Sequence, residues 1–175
     1  MIEPSFGIGR ILYSLFEHSY WVREDDEQKS VRAARRLFPC LTLFRTQVLS
    51  FKPNIAPIKC LVAPLSSRPE TDALVEKIGG ELRKSGIAYK VDDSGISIGR
   101  RYARADELGI PFDITVDFQS VKDETVTIRF RDLPRQQVRL PIAEVAALVS
   151  ALVAGPMTWD DATAKYPLHT AQDLA

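Results

Sequence analysis

The strongest constraint on the fold is a regular alternation of strand-like and helix-like segments that begins at residue 58. In chain order, the predicted elements lie at 58–65 (strand), 66–86 (helix), 87–93 (strand), 97–109 (helix), 111–118, 124–132 and 136–142 (three strands) and 143–155 (helix). The three later strands alternate apolar and polar residues, and the last two are predicted to form a hairpin. This order predicts an α/β fold, in which a mixed sheet has helices packed on its faces.

The helix predicted at 66–86 shows the signals expected at both of its ends. Ser66 or Ser67 is a candidate N-cap, Pro69 suits the first turn, and Gly86 ends the helix. Apolar residues at four-residue spacing form its inner face, namely Leu74, Ile78 and Leu82. The pair Gly79-Gly80 costs about 1 kcal/mol per glycine relative to alanine. We therefore expect a close packing contact at this pair.

The segments that flank this alternation are less regular. After Gly9, apolar residues recur at helical spacing, which predicts an amphipathic helix at 9–20. Residues 31–50 sustain neither a helical nor a strand period. Residues 158–167 predict a short capped helix or a turn, and the tail after it is expected to fray.

Composition limits the class of protein and the kind of partner. The 23 basic and 23 acidic residues give a formal net charge of zero, so nucleic-acid binding requires a local basic patch. No apolar run approaches the roughly 18 residues of a transmembrane helix, and no signal peptide is predicted at the start of the sequence. Cys40 and Cys60 have no metal or disulfide spacing, which indicates a reducing compartment and no metal site. His18 and His169 are predicted to be surface or packing residues.

Two blocks of the sequence carry a specific resemblance to a known family. EPSFGIGRILYSLFEHSYWVRE (3–24) resembles motif 3 of class II aminoacyl-tRNA synthetases, in the form used by glycyl-tRNA synthetases. KVDDSGISIGRRYARADELGIPF (90–112), continued by TVDF (115–118), TVTIRFRD (125–132) and QVRL (137–140), resembles the anticodon-binding domain of that family. Blocks of this length are far more specific than a short glycine pattern. The chain is therefore similar to the C-terminal part of eukaryotic or fungal glycyl-tRNA synthetases.

The resemblance implies a fold, a domain organisation and a set of partners. The family fold is a mixed, about five-stranded sheet flanked by helices, the class IIa anticodon-binding fold. Residues 1–31 correspond to a motif 3 remnant of the catalytic domain, 32–54 to an atypical insert and linker, 55–167 to the anticodon-binding domain and 168–175 to a frayed tail. Family members are homodimers that use ATP and magnesium to attach glycine to tRNA(Gly) through glycyl-adenylate. We expect a cytoplasmic protein, with the mitochondrion as a second location, and neither a membrane nor DNA as a partner.

Within the motif 3 block, the resemblance assigns Glu3, Pro4 and Ser5 to the glycine pocket, where a carboxylate pairs with the substrate ammonium. Arg10 matches the arginine that stacks on adenine and faces the ATP phosphates, which a planar and permanently charged guanidinium can do. Motifs 1 and 2 of the catalytic site are missing from this sequence. We therefore expect no catalytic residue, no bound ATP or magnesium and no aminoacylation by the chain alone, and its status as an enzyme stays open.

Within the second block, the candidate tRNA anticodon contacts are charged and amide side chains near strand ends and on the second helix. They are Asp93, Arg100, Arg101, Arg104, Arg131, Asp132, Gln137 and Arg139. Glycine anticodons carry cytosine at their second and third positions. A carboxylate can accept a hydrogen bond from the cytosine amino group, and an arginine can reach O2 or N3. For the arginine-rich helix, a solvated charged face is the alternative interpretation.

The sequence departs from the family pattern in two regions. The stretch RFRDLPRQQVR (129–139) differs from the usual pattern at Phe130, at Leu133 and by an extra residue near Pro134. In addition, Asp113 stands where the family commonly has glycine. Residues 32–48 form an insert whose removal restores a family-like junction, KSVLSFKPNIAPIKC. An unspliced intron or gene-model error, a functional basic insert and a tolerated surface loop are the three explanations for it.

Two other functions remain as alternatives. A non-catalytic accessory or RNA-binding protein could reuse the anticodon-binding domain, although EPSFGIGR (3–10) favours a synthetase origin. A nucleotide-binding α/β protein without an RNA role is the third hypothesis, and the lack of a strand–GxGxxG–helix unit weighs against it.

Overall fold

The computed structural model describes residues 4–23, 47–66 and 68–169. The N-terminal elements are helix α1 (Ile8–Ser19) and strands β1 (Tyr20–Val22) and β2 (Gln47–Leu49). The remaining elements are β3 (Cys60–Pro64), α2 (Pro69–Lys84), β4 (Tyr89–Val91), α3 (Ile98–Glu107), β5 (Phe112–Val116), α4 (Ser120–Asp123), β6 (Thr125–Phe130), β7 (Leu133–Pro141), α5 (Ile142–Ala154), α6 (Trp159–Lys165) and β8 (Leu168–His169).

The main sheet has six strands in the order β4-β3-β5-β6-β7-β8. Strands β4, β3 and β5 run parallel, because helices connect them, and β5, β6, β7 and β8 pair antiparallel. The predicted α/β fold with a mixed sheet is confirmed, and so is the hairpin of β6 and β7. The sixth strand is the addition to the expected five.

The sixth strand corrects the prediction that residues 168–175 form a frayed tail. Leu168 pairs with Val138, and His169 pairs with Gln137. The amide of Arg139 also donates to the carbonyl of Pro167, at 3.1 Å. The sheet therefore holds the chain as far as His169, and the remainder of the predicted tail lies outside the described residues.

The larger core lies between one face of the sheet and helices α2, α5 and α6. It is built from the alternate residues of the central strands together with helix residues such as Phe112, Ile114, Val126, Ile128, Val138, Leu140, Ile78, Leu82, Val145, Val149 and Trp159. A much smaller cluster on the opposite face consists of Leu61, Ala63, Ala105 and Ile110, under helix α3. Burying the larger cluster supplies most of the hydrophobic stabilisation, since that term scales with apolar area removed from water.

Strand β5 differs from the half-buried strand that its sequence alternation predicts. All five of its residues are buried, including the polar Asp113 and Thr115. Helix α3 covers the polar side, where Tyr102 hydrogen-bonds Thr115 and Arg129 bonds Asp113. The alternation therefore separates an apolar core from a buried polar layer, rather than from solvent.

Helix α2 confirms the predicted inner face but not the predicted N-cap. Its N-cap residue is Arg68, whose side chain makes no capping hydrogen bond, and Pro69 is at the first helical position. Ser66 precedes the cap, and Ser67 lies outside the described residues. The predicted close contact exists at Gly79, where an added Cβ would overlap the phenol of Tyr89. Gly80 has open space instead.

The N-terminal elements pack against the end of the main domain. Strand β1 pairs antiparallel with β2, and the ring of Phe16 in α1 makes an edge contact with Phe51, with 5.3 Å between centroids. Most large apolar side chains of α1 are exposed among the described residues. Gln47 and the buried Val48, which the sequence placed in the 32–48 insert, belong to β2. The rest of the insert lies outside the described residues.

Among the helices of the described residues, none combines the length and apolar character needed to cross a bilayer.

Candidate nucleic-acid interface

The candidate interface lies where the parallel strands β3, β4 and β5 end. In open α/β sheets, the carboxyl ends of parallel strands are the usual place for a ligand crevice. A cavity of about 290 Å³ opens at this edge. Its lining includes Ser66, Asp93, Ser94, Ser97, Ile98 and Arg101. The loop after β4 and the first turn of α3 therefore share one recess.

Helix α3 carries two neighbouring arginines that differ sharply in exposure. Arg100 is exposed, whereas Arg101 is only 6% exposed. The guanidinium of Arg101 donates to the carbonyls of Pro64 (2.7 Å), Asp92 (3.0 Å) and Ile96 (3.1 Å). These bonds use the Nε and Nη1 atoms of Arg101, which also lines the cavity. Arg101, predicted as a tRNA contact, therefore has a structural role within the fold, and its role as a tRNA contact stays a prediction.

Arg104 lies on the outer face of α3, one turn after Arg100. Its side chain is about half exposed (51%), donates to the hydroxyl of Ser94 at 2.8 Å and lies 3.4 Å from the carboxylate of Asp92. Burial opposes ionisation of Asp92, but hydrogen bonds from Ser94 and the charges of Arg104 and Arg101 lower its pKa. Asp93, the next residue, is exposed at the mouth of the cavity. The predicted group of Asp93, Arg100 and Arg104 is thus brought together.

An exposed aromatic residue at the same edge was missed by the sequence analysis. Phe118 follows β5, and 54% of it is exposed. The guanidinium of Arg68, at the start of α2, lies over its ring at 5.1 Å from the centroid. An exposed ring with a cation on one face can stack on an unpaired base. The TVDF pattern gave no signal, since Phe118 fits equally well as the last apolar residue of the strand.

Arg139 and Gln137 lie on β7, with their side chains on the sheet face that α3 partly covers. Arg139 pairs with Asp117 and donates to the hydroxyl of Thr125 at 2.9 Å. Burial opposes the ionisation of Asp117, yet hydrogen bonds from Arg139 and Ser120 lower its pKa. Arg139 is therefore largely engaged within the protein, and Gln137 is half-buried opposite Arg129.

Arg131 and Asp132 occupy the opposite edge of the sheet, in the turn between β6 and β7. The amide of Arg131 bonds the carbonyl of Pro111, just before β5 begins, whereas the interface lies beyond its end. At about 3.3 Å per residue, these two edges are roughly 15 Å apart. The predicted tRNA contacts are thus split between two places.

Burial also assigns Arg131 a structural role, which corrects its prediction as a tRNA contact. Its side chain is fully buried and donates to the carbonyls of Gly109 (3.0 Å) and Phe51 (2.8 Å) and to Asp132 (2.9 Å). Asp132 also accepts a hydrogen bond from Ser50 at 2.6 Å. The pair ties the hairpin turn to the segment after β2, instead of facing a ligand.

A buried ionic cluster joins α3 to the strands beneath it. The carboxylate of Asp106 lies 2.9 Å from both Arg23 and Arg129, and Arg129 also pairs with Asp113. Burial raises the pKa of Asp113 to about 7, because the Arg129 charge offsets only part of the lost hydration. Two guanidinium groups and two carboxyl groups thus meet inside the protein, and sequence spacing gave no sign of this cluster.

A family profile described as "Anticodon binding domain" matches residues 59–152, more than half of the chain. The chain belongs to the anticodon binding domain family. The matched residues run from the residue before β3 into α5, and they include the cavity, α3 and Phe118. The profile falls inside the 55–167 range proposed from the sequence for this domain.

Curated relatives of this anticodon binding domain are glycine--tRNA ligases. That of Caenorhabditis elegans is 48% identical over 173 residues, which cover 98% of this chain and 21% of the relative. The mitochondrial glycine--tRNA ligase 1 of Saccharomyces cerevisiae is 44% identical over 93% of this chain and 21% of its own length. The glycine--tRNA ligase of Methanocaldococcus jannaschii is 46% identical over 83% of this chain and 21% of its own length. The resemblance to glycyl-tRNA synthetases is confirmed, and the chain spans about a fifth of the length of these relatives.

A solved structure supports the fold independently. Prolyl-tRNA synthetase from Cryptosporidium parvum, complexed with L-proline and AMP, superimposes with a TM-score of 0.57 at 21% identity. The match covers 61% of this chain and 22% of that chain. At this identity, the likeness concerns the fold alone, and it agrees with a mixed sheet flanked by helices.

The motif 3 residues of this anticodon-binding domain lie at the surface where the structure describes them. Pro4, Ser5 and Arg10 are exposed, and Glu3 lies outside the described residues. A Cβ added at Gly7 or Gly9 would meet no atom within 4 Å, so nothing encloses the backbone there. The described residues also contain no group of three or more potential His, Cys, Asp or Glu metal ligands. The ATP and glycine roles inferred for this block stay predictions.

Proposed function

We propose that the chain binds the anticodon loop of a glycine-accepting tRNA at the carboxyl edge of its parallel strands. In a complete protein it would serve a glycine--tRNA ligase, which would join glycine to tRNA through an adenylate with ATP and magnesium. That protein would be a homodimer of the cytoplasm, with the mitochondrion as a second location. The chain itself would supply RNA recognition and no chemistry.

The observation that carries this proposal is the arrangement of α3 beside the cavity. Arg100 and Arg104 point outward from one helix face, and the exposed carboxylate of Asp93 lies at the cavity mouth. Unpaired bases are recognised by hydrogen bonds to their edges, and phosphates by arginine. A cytosine amino group could donate to Asp93 while the two arginines contact the backbone or the other base edges.

Phe118 and Arg68 extend the same edge. Base stacking on an aromatic side chain tolerates any base, so this pair would supply affinity, and Asp93 would supply the preference for cytosine. Because the formal net charge is zero, RNA binding must depend on this local group of arginines.

A filter-binding titration with a transcript of glycine-accepting tRNA tests the proposal. We expect Arg100→Ala and Arg104→Ala each to weaken binding about threefold to tenfold and to lower the salt slope by about 0.7, since each removes one cation from a single-stranded contact. Arg83→Ala, at an exposed arginine of α2, is the matched control. Equal affinity of the wild-type chain for transcripts with and without cytosine at the second and third anticodon positions would contradict the proposal.

A further inference from the structure

Helix α3 is attached to the sheet by few apolar contacts. Of its ten residues, only Ala105 is a buried apolar residue, and the other buried residues are Arg101 and Asp106. Helix α2, in contrast, buries Ile78 and Leu82 in the larger core. The cluster beneath α3 is small and includes two alanines, Ala63 and Ala105. The position of α3 must therefore depend largely on polar contacts.

The first polar contact holds the N-terminal half of α3. Arg101 bonds three carbonyls in two segments: Pro64 at the end of β3, and Asp92 and Ile96 at the two ends of the loop between β4 and α3. A guanidinium is a rigid planar fork, so three bonds in fixed directions define its orientation. Lysine carries the same charge but cannot reproduce this fork.

The second polar contact holds the C-terminal end. Both carboxylate oxygens of Asp106 accept from Arg129 on β6, at 3.1 and 2.9 Å, and one also accepts from Arg23 at 2.9 Å. At 3.6 residues per turn, Arg101 and Asp106 are about 140° apart around the helix axis. They therefore lie on the two sides of the helix face that points toward the sheet, one near each end of the helix. Polar contacts at both positions resist rotation and tilting of α3.

We propose that Arg101 and Asp106 are positioning residues for RNA binding, which fix the orientation of α3 so that Arg100 and Arg104 meet the RNA together. This inference rests on the proposed function. In this proposal both residues act through the helix, although Arg101 also lines the cavity. Their effect is to order the two outward arginines before binding, which reduces the entropy lost on association. Of these two adjacent arginines, Arg100 would bind RNA and Arg101 would position the helix.

The first test uses Arg101→Lys in the full chain, with Arg83→Lys as the charge-conserving control at an exposed arginine. Near-ultraviolet circular dichroism gives the folded fraction, and filter binding to the glycine-accepting transcript gives the affinity per folded molecule. We expect Arg101→Lys to lose about fivefold to tenfold in affinity and Arg83→Lys to lose none. Equal affinity of the two variants would overturn the proposal.

The second measurement separates positioning from a general structural role. Arg104→Ala is made in the wild-type and in the Arg101→Lys chains, so that the two changes form a double-mutant cycle. We expect the loss caused by Arg104→Ala to be at least threefold smaller in the Arg101→Lys chain, because Arg104 is already misplaced there. Identical losses in both chains would show that Arg101 does not act through α3's outward arginines.

Asp106→Asn, with Glu107→Gln as its control, extends the test to the other end of the helix. Both variants remove one negative charge, but Glu107 is exposed and Asp106 is buried. We expect weaker binding and the same non-additivity with Arg104→Ala only for Asp106→Asn. If Asp106→Asn does not fold, the Arg101→Lys result decides. A wild-type chain that ignores the transcript would instead refute the proposed function.

Discussion

At the scale of single residues, Asp113 is the least ordinary carboxyl group of the chain. One of its oxygens makes no hydrogen bond, and its pKa is raised to about 7 by burial. The folded protein therefore holds a proton that the unfolded chain, with an aspartate pKa near 4, releases. Stability gained from this proton is complete below about pH 4 and is lost as the pH rises through 7.

Replacing Asp113 with asparagine should remove this pH dependence, since an amide oxygen can still accept from Arg129 without carrying charge. Between pH 4 and 7, the wild-type free energy of unfolding should fall by up to about 1.4 kcal/mol per pH unit relative to Asp113→Asn. Urea unfolding of both proteins at pH 5 and pH 8 provides the comparison. A stability difference that stays constant with pH would contradict this assignment.

Whether a predicted contact residue is exposed depends on the direction of its side chain, which the sequence does not give. Asp93, Arg100 and Arg104 were predicted as contacts and are exposed near the candidate interface, with Asp93 in the lining of its cavity. Arg101 and Arg131 belong to equally basic stretches, yet they point inward to backbone carbonyls. The direction of an arginine depends on which carbonyls the folded chain leaves without partners, and residue type does not encode that.

At the scale of elements, helix α2 offers a contrast between two adjacent glycines. A methyl group at Gly79 would overlap the phenol of Tyr89 on β4, whereas one at Gly80 would enter open space. We expect Gly79→Ala to destabilise the protein by about 1–3 kcal/mol through overpacking. Gly80→Ala should stabilise it by about 0.5–1 kcal/mol through helix propensity.

Thermal unfolding of both alanine variants provides the measurement, and Tyr89→Leu is the informative second background. In that background, the cost of Gly79→Ala should shrink, because the phenol that it meets is gone. Stabilisation by both alanines would mean that the Tyr89 side chain moves aside at little cost. The helix would then not need to approach β4 closely.

Most element boundaries followed from local sequence signals. Gly86, Gly109 and Gly155 each adopt positive φ after a helix, as the predicted helix ends required. Strand β8 could not be foreseen, because two residues carry no periodicity, and its pairing with β7 depends on where α6 returns the chain. The burial of both faces of β5 was also not predicted, because alternating polar residues can face either solvent or a buried polar layer.

At the scale of the whole molecule, catalysis is the property that the described residues least support. Adenylate formation requires ATP and glycine to be held together in a fixed geometry. Arg10 is exposed on α1, and no pocket encloses the neighbouring glycines. We expect the purified chain to give no glycine-dependent ATP–pyrophosphate exchange above a reaction lacking protein. Measurable exchange, abolished by Arg10→Ala, would contradict this expectation.

Helix α1 also affects how the molecule behaves in solution. Ile8, Ile11, Leu12 and Tyr13 expose about half or more of their surface on one short helix. The free energy of the system falls when such a patch is buried against another apolar surface, and sulfate strengthens that tendency. Self-association should therefore increase with protein concentration and with sulfate. Colloidal behaviour would then depend on the N-terminal helix, while thermodynamic stability depends on the core behind the sheet.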